Sequence, residues 1–157
     1  RMSNRRTHEC HICQDIEALK NNKNSSFVHE LTTGYVVIGS PQFYKGYVLF
    51  LSKKHVGELH ELPEDFKKQF LLEMSWVAKA VFQAFKPCKL NYELLGNTTP
   101  HLHWHIFPRY LDDAKPKIPV WNNPDFIQSK IVLSDTELIT LKTQLQKKLE
   151  IILRHEN

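Results

Sequence analysis

Hydrophobic and polar positions change period several times along the chain, and each change marks an element. Ile12, Ile16 and Leu19 are spaced for one face of a short helix over residues 13–19. The polar run Asn21-Asn22-Lys23-Asn24-Ser25-Ser26 that follows reads as a loop. Phe27 to Leu31, Tyr35 to Ile38 and Tyr47 to Leu51 are then rich in β-branched and aromatic residues, punctuated by Gly34, Gly39-Ser40-Pro41 and Gly46. They predict an antiparallel meander. Pro63 falls at the first turn of a long helix, with Glu64 and Asp65 favourable near its N-terminus. On that helix Phe66, Phe70, Met74, Val77, Val81 and Phe85 recur at helical spacing, Leu71, Ala78 and Phe82 widen the stripe, and Pro87 ends it. The stripe reads as core.

Leu90 to Leu95 reads as a strand and Gly96-Asn97-Thr98-Thr99-Pro100 as a turn. His101-Leu102-His103-Trp104-His105-Ile106-Phe107 then alternates strictly, the mark of a strand whose faces see different surroundings. On this reading the imidazoles share one face, neighbours about 6.6 Å apart, with Leu102, Trp104 and Ile106 in the core. Residues 112–130, with Pro116, Pro119, Pro124 and Trp121, form an irregular arm. Ser134 and Glu137 make a capping box for a last helix, on which Leu138, Leu141, Leu145, Leu149 and Ile152 form one stripe. The expected class is α+β: a mostly antiparallel sheet of about five strands, a long helix packed on it, and a C-terminal helix.

At 157 residues and 41% hydrophobic the chain suits one globular domain. Residues 10–111 form its body and 112–157 an arm and helix packed on it. Residues 1–9 are expected to be disordered or tag-derived, since Arg1 precedes Met2. Neither a membrane span nor a signal segment is visible, so the cytoplasm is the expected location. The net charge of +4 is mild, and Lys and Arg are spread along the chain, which favours a phosphate-bearing small molecule over nucleic acid. Three cysteines give no even disulfide set, and Cys10 and Cys13 form a C-x-x-C pair that suits metal or redox chemistry.

Imidazole can be nucleophile, base or acid near neutral pH. Several on one face, beside a turn rich in hydroxyl and amide groups, suit a transferring group that carries negative charge. A neutral histidine can attack phosphorus and split one displacement into two. Alternating histidines also suit zinc or iron, but the strand carries no carboxylate to complete such a centre.

The H-x-H-x-H-x-x pattern with apolar x resembles the histidine triad superfamily of nucleotide hydrolases and transferases. The lead-in Gly96-Asn97-Thr98-Thr99-Pro100-His101 is similar to that family's Gly-Gln-Ser/Thr-x-x-His, and Leu49-Phe50-Leu51-Ser52-Lys53-Lys54-His55 to its apolar strand ending in Pro-Lys-Lys-His. With Pro108-Arg109 and the C-x-x-C, the resemblance spans roughly residues 10–110. It implies a histidine-triad fold with His103 as nucleophile, forming a nucleotidyl-histidine intermediate. The carbonyl of His101 would orient that ring, and His105 would hold non-bridging phosphate oxygens. Thr98 would assist the leaving group, and Asn97, where the family has Gln, would contact phosphate. The resemblance further implies a structural zinc on Cys10, Cys13, His55 and His101, and a homodimer; His11, inside the C-x-x-C, is a candidate substitute ligand, and the long-helix face a candidate interface. His8, His29, His60 and His155 read as surface residues and Cys88 as a free thiol.

The chain departs from the family in two places. Tyr47 follows Gly46 where many members have a fourth histidine, and no Asp or Glu lies between Leu31 and Gly57 to grip ribose hydroxyls. A third triad histidine goes with hydrolysis in this superfamily. The expected activity is therefore hydrolysis of dinucleoside polyphosphates or nucleoside phosphoramidates. Nucleotidyl transfer is one alternative, and a nucleotide-binding or scaffold protein with little catalysis is another. Trp121 suits either an aromatic face for a base or plain packing.

Overall fold

The computed structural model describes residues 9–156, so the stretch expected to be disordered or tag-derived lies, apart from Glu9, outside the described residues. Helix α1 spans His11–Lys20 and buries Ile12, Ile16 and Leu19. It starts two residues before the predicted helix because Cys10 caps it, its sulfur accepting from the Cys13 amide at 3.4 Å. Cysteine is an uncommon cap, so the sequence carries no ordinary start signal there.

Five strands follow: β1 (Phe27–Glu30), β2 (Gly34–Ile38), β3 (Val48–Ser52), β4 (Lys89–Glu93) and β5 (His103–Arg109). They form one sheet in the order β1-β2-β3-β5-β4, with every neighbouring pair antiparallel. The β5 strand thus runs between β3 and β4, away from either edge. Its N-terminal end differs from the sequence reading: pairing begins at His103, and His101 and Leu102 precede the strand.

One face of the sheet carries the main core. Val36, Val48, Phe50 and Ile106 pack there against α2 (Glu64–Phe85) and α4 (Asp135–Glu156). On α2 the helical stripe holds through Phe70, Val77 and Val81, but Phe82 is 47% exposed while Ala80 and Glu73 are buried. The buried face is displaced from the predicted stripe, taking in Glu73 and Ala80 and leaving out Phe82, because α2 is covered on two sides, by the sheet and by α4. Glu73, 1% exposed, accepts from the amides of Thr32 and Thr33, from Thr33 Oγ1 and from Gln69 Nε2. A buried carboxylate is tolerable only with such partners, and here they tie α2 to the β1–β2 turn. The capping box before α4 is present, with Ser134 and Glu137 bonding each other's amides at 3.0 and 3.1 Å.

The opposite face holds two smaller clusters. Near β2, α1 packs on Tyr35, Val37 and Leu51. Near β5, Val120 and Phe126 pack on Tyr44, Tyr47 and Phe107. Val120 belongs to a 3-10 turn (Val120–Asn122) and Phe126 to the short helix α3 (Pro124–Ile127), so the arm has more regular structure than its prolines suggest. Leu49 is half-buried between the clusters and touches both. A cleft therefore runs over the sheet between α1 and the arm. Among the described residues no helix is long and apolar enough to cross a membrane.

Candidate functional site

Strand alternation sends His103 and His105 to the cleft face, opposite Leu51 and Leu49 on β3, while Glu93 on β4 stands opposite His105. The two imidazole centroids lie 4.8 Å apart, closer than ideal strand spacing gives. His101 leaves this row. Its backbone turns before the strand begins, and its ring points to the C-x-x-C instead of sharing a face with the other two.

The polypeptide around His103 fixes its proton. His103 Nδ1 donates to the His101 carbonyl at 2.6 Å, and a carbonyl can only accept. Nε2 therefore keeps a lone pair. Burial lowers the pKa of His103, with the hydrogen bond to His101 partly opposing it. Burial, with His103 adding to it, lowers that of His105 to about 4. Both rings are neutral near pH 7. His105 Nδ1 lies 2.7 Å from the Tyr47 hydroxyl, and the Tyr47 ring stacks on Phe107 at 4.0 Å between centroids.

In front of these rings is a pocket of about 220 Å³ lined by Leu95, Gly96, Asn97, Thr98, His103, His105 and Trp121. Asn97 and Thr98 thus join the two histidines, as expected from the lead-in. Gly96 has φ +85°, a value that glycine adopts without strain, and it turns the chain from β4 to the pocket rim. A wider hollow of about 750 Å³ near His29, Lys53 and Arg154 contains none of the triad.

Behind the triad a second constellation forms. One ligand atom from each of Cys10, Cys13, His55 and His101 lies within 4.8 Å of the others, a group that could hold a metal ion. His101 Nδ1 is 3.5 Å from both sulfurs and 3.1 Å from His55 Nδ1, and Cys13 Sγ is 3.3 Å from His55 Nδ1. His101 Nε2 donates to the Ser52 carbonyl at 2.7 Å, so its Nδ1 lone pair faces the cluster. Without a cation, burial and the neighbouring Cys10 push the Cys13 thiol up to about 12; a metal would reverse that. His11 is exposed and outside the cluster, Cys88 is an exposed free thiol, and His60 and His155 are exposed.

Three residues near the triad matter more in the structure than their place in the sequence suggests. Trp121 lines the pocket, edge-on to His105 at 5.6 Å, and it also packs edge-on against Phe107 and Phe126. Burial pushes the Glu93 carboxyl above its ordinary range, against a hydrogen bond from Trp121 and the charge of Arg109. Arg109, 5% exposed, donates to Asp113 Oδ2, Asn91 Oδ1 and the carbonyls of Ile118 and Lys115. Only the position of Glu93 opposite His105 could have revealed it, and that register is not visible in one sequence.

Residues 20–112 match the HIT domain family model. The chain is 32% identical over 74 residues to the protein hit of Bacillus subtilis, covering 44% of this chain and 51% of that protein. An uncharacterised HIT-like protein of Methanocaldococcus jannaschii is 31% identical over 75 residues, covering 45% of this chain and 58% of that protein. The matches span little more than half the length of these curated relatives. A histidine triad protein from Bradyrhizobium japonicum superposes with a TM-score of 0.68 at 26% identity, covering 83% of this chain and 93% of that one. A zinc-bound histidine triad family protein from Mycobacterium smegmatis shares the fold, with a TM-score of 0.66 at 17% identity over 96% of this chain and 100% of that one. With its triad, lead-in and sheet order all in place, the chain belongs to the HIT domain family.

Proposed function

We propose that this protein hydrolyses a nucleotide phosphate, either a dinucleoside polyphosphate or a nucleoside phosphoramidate, through a covalent intermediate on His103. The observation that carries this reading is the bond from His103 Nδ1 to the His101 carbonyl, which leaves Nε2 as an unprotonated nucleophile facing the pocket. Nε2 attacks phosphorus, a P–N bond forms, and the P–O or P–N bond to the leaving group breaks. The Nδ1–H bond steadies the positive charge that grows on the ring. His105 and Asn97 hold the phosphate oxygens, and Thr98 delivers a proton toward the departing atom. Water then cleaves the P–N bond and restores His103. Mass spectrometry after brief mixing with diadenosine polyphosphates and adenosine phosphoramidate should show a nucleotidyl adduct on His103. His103→Ala should lose the adduct and roughly a thousandfold or more in kcat. Equal rates for variant and wild type would overturn the reading.

Zinc is the metal that suits the second constellation. At zinc bond lengths a tetrahedral ion spaces nitrogen donors about 3.3 Å apart and sulfur from nitrogen about 3.6 Å, near the separations found here. Cys10, Cys13, His55 and His101 would hold it as a closed structural site that fastens α1 to the sheet. Metal analysis of protein purified without added metal should give one zinc per chain; a value near zero removes the site. The chain pairs as a homodimer, and the α2 face that exposes Leu72 and Phe82 is the candidate interface. Light scattering at the monomer mass would exclude this.

A further inference from the structure

Tyr47 stands where many members of the family have a histidine, and its surroundings hold it in one place. The ring is 3% exposed and lies parallel to Phe107, 17° between planes. It also lies over Gly39, whose missing side chain makes room for it: a Cβ there would run into the Tyr47 ring. Phe126 closes a further side edge-on. The phenol therefore has one orientation, with its hydroxyl 2.7 Å from His105 Nδ1. That nitrogen is the hydroxyl's one hydrogen-bond partner among the described residues.

Two arrangements of the proton are conceivable. If His105 carried its proton on Nδ1, it would donate to the phenol oxygen, and the buried phenol proton would lack an acceptor. Leaving a buried donor unsatisfied is costly. If the phenol donates instead, Nδ1 accepts and both groups are satisfied. His105 then carries its proton on Nε2, the nitrogen on the pocket side of the ring.

We propose that Tyr47 is a positioning residue that locks neutral His105 in the Nε2–H form, so that it meets a phosphate oxygen as a hydrogen-bond donor. Two neighbouring imidazoles thereby hold opposite forms. The His101 carbonyl places the proton of His103 on Nδ1 and leaves a nucleophile, while the Tyr47 hydroxyl places that of His105 on Nε2 and makes a donor. Without such locks both rings would exchange between forms, and only a fraction of molecules would present one acceptor and one donor together. The role in turnover rests on the hydrolase reading above, whereas the proton's position does not.

Nitrogen-15 NMR of histidine-labelled, substrate-free protein tests the proton directly. Wild type should show His105 with a pyridine-like Nδ1 and a pyrrole-like Nε2. Tyr47→Phe keeps the ring and its stacking, and it should give a mixture of both forms at His105 with His103 unchanged. In steady-state assays on the phosphoramidate, Tyr47→Phe should lower kcat roughly tenfold to hundredfold, with KM within about twofold. A pyrrole-like Nδ1 at His105 in the wild type would overturn the proposal. So would a Tyr47→Phe protein whose His105 spectrum matches wild type. If wild type turns over no nucleotide, the hydrolase reading fails, and the NMR arm still decides where the proton sits.

Discussion

At the residue scale, burial gives the two cleft histidines a pH signature. His105 falls to about 4 in the folded protein because burial disfavours its charged form. The unfolded chain takes up that proton near pH 6.5. Between those values the unfolded state binds more protons, so stability falls as pH drops below about 6.5 and the loss levels off below about 4. The contribution of His105 alone is on the order of 3 kcal/mol. Urea unfolding from pH 8 to 4 should show this decline, and His105→Asn should make it shallower; an unchanged slope would deny His105 the effect. Gly39→Ala should destabilise by about 1–3 kcal/mol in the same assay, since the added methyl must displace the Tyr47 ring. The triad, Asn97 and Thr98 were legible in the sequence because they lie together on one short stretch. That His101 lies apart from the other two rings was legible only through family resemblance, since alternation by itself places three equal imidazoles in a row. What alternation cannot show is that pairing starts at His103, because that depends on β3 and on the contacts of Leu102 with Ser52 and Val56.

At the element scale, β5 serves both faces at once. Ile106 seals the main core, and His103 and His105 line the cleft, so the alternating pattern reported correctly on the strand. The arm was the element least visible in the sequence. Its prolines argued against regular structure, yet Arg109 gathers it by bonding Ile118 and Lys115 carbonyls and pairing with Asp113 at 2.6 Å, both side chains 6% exposed. A guanidinium can make these bonds together because its donors form a planar fork, which lysine lacks. Arg109→Lys keeps the charge but cannot reach all of these acceptors, so it should leave residues 110–119 open to limited proteolysis and cost about 1–3 kcal/mol, the range for buried acceptors left without a donor. Cleavage of variant and wild type at the same rate would show that the arm is held some other way. The exposure of Phe82 has a similar origin: periodicity marks the apolar positions of α2 but not how far around the helix its neighbours reach.

At the scale of the whole molecule, the sheet order and the two packed faces follow from elements whose patterns were plain, while the way the cleft is walled depends on contacts between distant segments. Cys10 meets a histidine 91 residues away, and such a meeting leaves no local trace. The two walls are also fastened by unlike means. The zinc proposed on Cys10, Cys13, His55 and His101 would secure α1, whereas one guanidinium gathers the arm, with the half-buried Leu49 between them. The walls should therefore behave as separate opening units in native-state hydrogen exchange. Chelation should speed exchange in α1 and spare residues 110–127, and Arg109→Lys should do the reverse. Two walls that loosen independently give the cleft two ways to widen, one on each side of the histidines, without disturbing the strand that carries them.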